Sequence, residues 1–187
     1  PMFGDMLFYD NELLHTVANQ NDKNPINIYG VTIGFNTLMQ GFEINGDFNI
    51  TTGSRVVNTN SELGPLAHIP PNFGKIEIIK NVKDWKFRFF CLYAGAKAAA
   101  EFDNAGIDNL NETAIIGFEN NSIQEGDPIW SGSPSWYTLN ASINYTLNKK
   151  FFFQVSVENL LDAHYKTFGS GISAPGRNFI FSTNILF

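Results

Sequence analysis

What the sequence lacks narrows it first. It has one cysteine, Cys91, so an internal disulfide framework and a cysteine-based zinc site are excluded. No apolar run reaches the roughly 18 residues of a membrane-spanning helix. Lys and Arg number 12 against 18 Asp and Glu, and they are scattered. A net charge of −6 with no basic stripe argues against nucleic acid as a partner. There is no initiator Met, no charged n-region and no signal h-region. A mature or truncated chain is therefore expected, and 187 residues suit one domain or part of a larger one. The mean hydropathy of −0.12 resembles that of a soluble protein. A transmembrane β-barrel has the same value, because its strands alternate and never build a long apolar run.

What is present is phenylalanine, 18 of them, and strict alternation. In FEINGDFNITT, Phe42, Ile44, Phe48 and Ile50 share one face, while Glu43, Asn45, Asp47 and Asn49 share the other. YGVTIGFN (29–36), WKFRFFCLY (85–93), YTLNASINYT (137–146) and FFFQVSVEN (151–159) repeat the pattern. NFGKIEIIK (72–80) repeats it more weakly, through Ile76 and Ile78. The last stretch, GRNFIFSTNILF, places Phe179, Phe181, Thr183, Ile185 and Phe187 on one face. About seven strands result. Ten residues at ~3.3 Å each and a ~40° tilt rise about 25 Å, the height of an outer-membrane apolar band. Strands of soluble sheets more often have about five or six residues.

The connections alternate in length. Met39-Gln40-Gly41, 81–84 and 147–150 are short; 53–68, 97–135 and 160–177 are long and rich in Gly, Asn, Ser and Pro. Short turns on one side and long loops on the other are the outer-membrane layout. Aromatics near strand ends (Tyr29, Trp85, Tyr93, Trp136, Tyr137, Phe151 and Phe187) are expected to form interfacial girdles. A face of Asn, Thr, Ser and Glu suits a water-filled lumen and not a dry core. The stretch MLFYDNELLHTVANQ is expected to hold an eighth strand.

The last fifty residues resemble the C-terminal end of TonB-dependent outer-membrane receptors. The likeness lies in WYTLNASINYTLNKKFFFQVSVENLLDAHY and FGSGISAPGRNFIFSTNILF. Glu158, Asn159, Leu160, Leu161, Asp162 and Tyr165 match the family's ENL-x-D-x-x-Y turn. Ala174, Pro175, Gly176, Arg177, Asn178 and Phe179 match its PGR-x-aromatic lead into the last strand. HIPPNFG at 68–74 and IYGVTIGF at 28–35 resemble strand beginnings of the family.

The resemblance implies an all-β fold: an antiparallel transmembrane β-barrel segment, about 7–8 strands of a 22-stranded barrel in the outer membrane of a Gram-negative bacterium. Residues 1–187 would form the C-terminal part of that barrel, without the plug domain, TonB box and signal peptide. The implied function is active uptake of a scarce nutrient: an iron chelate, haem or cobalamin, with glycans and peptides as further cargo. The implied partners are outer-membrane lipid, the TonB complex through the plug, a small-molecule ligand and the barrel-assembly machinery. That machinery reads a terminal aromatic preceded by alternate apolar residues, here Phe179, Phe181, Ile185 and Phe187. No enzyme activity, cofactor or metal site is expected.

Ligand contacts are expected in the outer loops. Asp103, Asp108 and Glu112 offer carboxylates, without the spacing of a calcium-binding loop, and solvated loop acids are the blander expectation. Trp130 suits ligand stacking or loop anchoring equally. His68 and the other histidines, His15 and His164, show no paired ligand spacing, so structural or incidental roles are favoured. Asp162, His164 and Ser170 have hydrolase-triad residue types but lie within one loop, with no oxyanion hole in view. The sequons at Asn49, Asn140 and Asn144 fall on the lumen side, and Cys91 on the lipid side. The second reading is a complete barrel of about eight strands with an anchoring or adhesive role.

Overall fold

The computed structural model describes residues 7–9, 12–14, 26–56, 62–103, 108, 110–119 and 127–187. Two three-residue strands, β1 (Leu7–Tyr9) and β2 (Glu12–Leu14), pair only with each other. The expected eighth strand is thus a small hairpin, and the rest of that stretch, His15 included, lies outside the described residues. Then come β3 (Asn27–Met39), β4 (Phe42–Val56), β5 (Leu63–Pro65), β6 (Phe73–Val82) and β7 (Trp85–Ala94). The long segment that follows carries β8 (Ile115–Phe118) and β9 (Pro128–Trp130), before β10 (Trp136–Thr146), β11 (Phe151–Glu158) and β12 (Asn178–Ile185). The seven expected strands are all present, five of them ten residues or longer.

They form one antiparallel sheet in the order β12-β11-β10-β7-β6-β4-β3, with the short β5 added to the outer end of β4. Consecutive long strands are neighbours in space, joined by short turns at one end of the sheet and long loops at the other. The turn at Gln40 and Gly41 has φ of 50° and 73°. Two positive φ values in a two-residue loop match the twist of the flanking strands. At the 147–150 turn the Asn148 side chain accepts the N–H groups of Lys150 and Phe151 at 2.8 and 3.1 Å. The edges of β3 and β12 pair with no strand among the described residues.

The register carries the faces across the sheet without a slip. One row runs Ile44, Ile78, Phe89, Ala141, Val157, Phe179; the next runs Phe87, Ile143, Val155, Phe181. Opposite them run Asn36, Asn45, Glu77, Phe90 and Asn140 in one row, and Glu43, Ile79, Arg88, Ser142 and Ser156 in another. Exposure then inverts the pattern of a soluble protein. Phe181 is 76 % exposed and Phe87 41 %, whereas Thr138 is 1 % and Asn140 3 %. In water a one-layer sheet buries its apolar side. A strand wall curled around a wet interior, with lipid outside, gives the opposite.

The polar face is cross-linked. Glu77 accepts from Arg88 and lies 3.4 Å from Lys75; Asn49 donates to Asp47 at 3.0 Å and accepts from Thr32 at 2.8 Å. Trp85 stacks on Phe87 and lies 4.4 Å, centroid to centroid, from Tyr145 on the outer face. Trp136 departs from the expected girdle. It falls on the polar face beside Tyr137 and packs on Tyr165 at 4.2 Å, because adjacent strand residues point to opposite sides.

Candidate functional site

All the long connections emerge at one end of the sheet, where they build the only packed apolar-and-charged core among the described residues. Phe102, which precedes Asp103, is 2 % exposed and meets Phe168 edge-on at 6.1 Å. Lys97 lies over both rings, 4.8 Å from Phe102 and 4.3 Å from Phe168. Its ammonium donates to the Ile69 carbonyl at 2.8 Å and to Asp108 at 3.1 Å. Asp108 also accepts the backbone N–H of His68 at 2.6 Å and that of Asp103 at 3.3 Å. Asp103 in turn pairs with Arg55 at 2.5 Å. Three separate outer segments are thereby tied to one buried lysine.

This places the acids differently from solvated loop carboxylates. Asp103 and Asp108 are both 5 % exposed. Burial pushes the Asp108 carboxyl up, but the His68 N–H, the Lys97 ammonium and the Asp103 N–H outweigh it and hold the group below the usual aspartate range. Asp108 and Asp103 are committed to protein partners. His68 has φ of 64° and an exposed ring 3.7 Å from Asp108. Trp130 is half-buried in β9, paired with Ile115 of β8. Glu112 ends a 3-10 turn, Leu110–Glu112, is exposed and joins none of the described ion pairs, though it borders a small pocket with Phe102, Asp108 and Phe168. Among the described residues no three His, Cys, Asp or Glu side chains converge as a metal site.

Beside the buried cluster lies an open cleft of about 640 Å³. Thr52, Ser54, Leu66, Asn72, Lys97 and Glu101 contribute to its walls. Its size is that of a small-molecule site, and its walls mix backbone polar groups with apolar side chains.

The second cluster draws together the residues of the final loop. Asn159 is 3 % exposed, with φ of 50°, which Asn tolerates better than most residues. Its side chain accepts the Ala163 N–H at 2.9 Å and donates to the carbonyls of Ala163 at 2.8 Å and Pro175 at 3.2 Å. Its own N–H donates to Asn140 of β10 at 2.9 Å. The Arg177 guanidinium donates to the Leu160 carbonyl at 2.9 Å. A Cβ on Gly176 would lie 2.6 Å from the Asp162 carboxylate, so a side chain there forces a shift. Tyr165 packs on Trp136, and burial, with the charge of Glu158 second, raises its phenol above the ordinary value. The loop is thus folded back to hold β11 and β12 in register with β10.

The triad residue types do not assemble. The Asp162 carboxylate accepts from the Arg177 N–H, His164 shares a hydrogen bond with Ser173 at 2.9 Å, and Ser170 donates to the Ile172 carbonyl at 2.8 Å. Lys97, Arg55, Phe102 and Phe168 escaped the sequence reading. A lone lysine in GAKAAA, flanked by small apolar residues, was the available clue.

No protein-family model matches the sequence, and no curated protein does. Solved structures do match in shape. One titled Copper transporter OprC superposes with a TM-score of 0.62 at 15 % identity, over 87 % of this chain and 23 % of that one. With the inverted faces already in view, the fold is clear. The chain is a length of transmembrane β-barrel wall. Its sheet remains open, and it spans under a quarter of the solved chain it matches. An eight-stranded closed barrel is not formed, because β3 and β12 do not meet and no eighth long strand lies among the described residues.

Proposed function

We propose that this chain forms part of the barrel of a TonB-dependent outer-membrane receptor that imports a scarce small molecule. The observation that carries the reading is the unbroken lipid-type face from β3 to β12, opposite a cross-linked polar face. The Asn159–Arg177 loop, formed by the residues that carry the family resemblance, supports it further. Two free edges cannot be left in lipid, so further strands complete the wall. The outer cleft and the loops around it are the proposed ligand surface, with Trp130 and His68 as candidate contacts elsewhere on those loops; Lys97, on the cleft wall, is held by Asp108. An iron chelate, haem or cobalamin is the cargo class proposed, with glycans and peptides as further cargo. The solved likeness is titled a copper transporter.

The test is growth of a deletion strain on single nutrients as sole iron, haem or cobalamin source. Complementation by the full-length gene, abolished by loss of the TonB system, is the expected result. Uptake indifferent to that system, or no nutrient phenotype across the panel, would remove the transporter reading. The alternative, an anchoring barrel, predicts the second outcome.

A further inference from the structure

The outer face of the seven long strands carries one charge among the described residues, Lys80 of β6. Its register neighbours are Phe42 and Phe87. A lysine in that setting is costly unless its ammonium reaches the interface. It does: it lies 4.3 Å from the Phe42 ring centroid and donates to the Gln40 carbonyl at 3.2 Å, in the next hairpin turn. None of the described ion pairs takes it. One hydrogen bond takes one of its three protons, and the residue stays partly exposed. Lys80 stands three residues before the turn residue Lys83, a height of about 8 Å at ~3.3 Å per residue and a ~40° tilt. That is the depth of a headgroup layer.

The whole short-turn rim shares this sign. Residues 37–43, 80–86 and 147–150 hold Lys80, Lys83, Lys86, Lys149 and Lys150 against Glu43 and Asp84, five positive charges less two negative, or +3. The chain as a whole is at −6. We propose that Lys80, with Lys83 beside it, binds the phosphodiester of an anionic phospholipid in the leaflet that the short turns face. A free phosphate would have to sit against Phe42 and Phe87. A lipid places its acyl chains along those rings and its phosphate at the ammonium. The proposal rests on the membrane-barrel reading.

The experiment uses the full-length protein in neutral detergent, titrated with phosphatidylglycerol or phosphatidylcholine, with bound lipid counted by native mass spectrometry. Wild type should retain phosphatidylglycerol preferentially. Lys80→Gln should weaken that retention about fivefold, the usual effect of one interfacial basic residue, and Lys80→Arg should restore most of it. Lys83→Asn, in an exposed turn that tolerates it, should also weaken retention, which covers a failure of the Lys80 variant to fold. Lys166→Gln, at the long-loop end, should change nothing. Equal retention by wild type, Lys80→Gln and Lys83→Asn overturns the proposal, as does displacement of the lipid by millimolar inorganic phosphate. A barrel that migrates heat-modifiably and inserts in bilayers but shows no lipid preference sinks this proposal alone. Absence of heat-modifiable migration sinks the barrel reading with it.

Discussion

The backbone N–H of Arg177 donates to the Asp162 carboxylate at 2.7 Å, closing the last outer loop across 15 residues. Gly176, directly before it, lies against the same carboxylate. Asp162 itself has φ of 55°, a conformation for which its short polar side chain is suited. Asp162→Ala in the full-length protein removes the acceptor. A loss of about 1–2 kcal/mol is expected, read as a lower midpoint for conversion of the heat-modifiable band.

Asn159 is the larger test of the same loop. Its side chain makes three hydrogen bonds, and Ala would leave the Ala163 N–H and the Pro175 carbonyl without it. Asn159→Ala should cost about 2–3 kcal/mol and raise protease cleavage between β11 and β12. An unchanged cleavage pattern would show that the loop is held by other contacts.

The two faces predict opposite responses to charge. Phe89 lies mid-row on the apolar face, and Asn144 on the polar face. Phe89→Arg should destabilise the inserted barrel by about 2–4 kcal/mol, whereas Asn144→Glu, opposite Lys86, should stay within about 0.5 kcal/mol. Urea titration in lipid vesicles measures both. Equal tolerance would mean that Phe89 does not meet lipid.

The Asp108 carboxylate makes the outer loops acid-sensitive. Its folded pKa lies below its unfolded value of about 3.9, so its stabilising contribution is complete above that value. It is lost as the pH falls through the lower, folded value. Hydrogen exchange around residues 68 and 97 should accelerate below about pH 4. Asp108→Asn, which keeps the shape and removes the charge, should exchange fast at neutral pH and lose the acid step. A wild type that stays protected throughout that range would contradict the role given to the Lys97–Asp108 pair.

Phe187 is fully exposed, past the end of β12. The assembly role that the family resemblance implies predicts that Phe187→Ala in the full-length protein lowers the folded fraction in cells, while the folded molecules keep wild-type stability. Heat-modifiable migration reads the first and urea titration the second.

Alternation alone determined the seven strands, their antiparallel hairpins and their two faces, because side chains change sides at every residue whatever surrounds the sheet. Phe42, Phe87, Ile143 and Phe181 are legible as one face from spacing alone. That this face packs into no dry core among the described residues was decided by the structure, where one sheet layer leaves Phe181 exposed and Asn140 sheltered. The fate of Asp103 and Asp108 also needed coordinates. Their partners, Arg55 and Lys97, lie 48 and 11 residues away, and contacts across such separations depend on loop paths that no period in the sequence encodes. Lys80 shows both limits at once: its place on the oily face follows from counting by twos, but its reach to Gln40, 40 residues away, follows only from the register of β4 on β6.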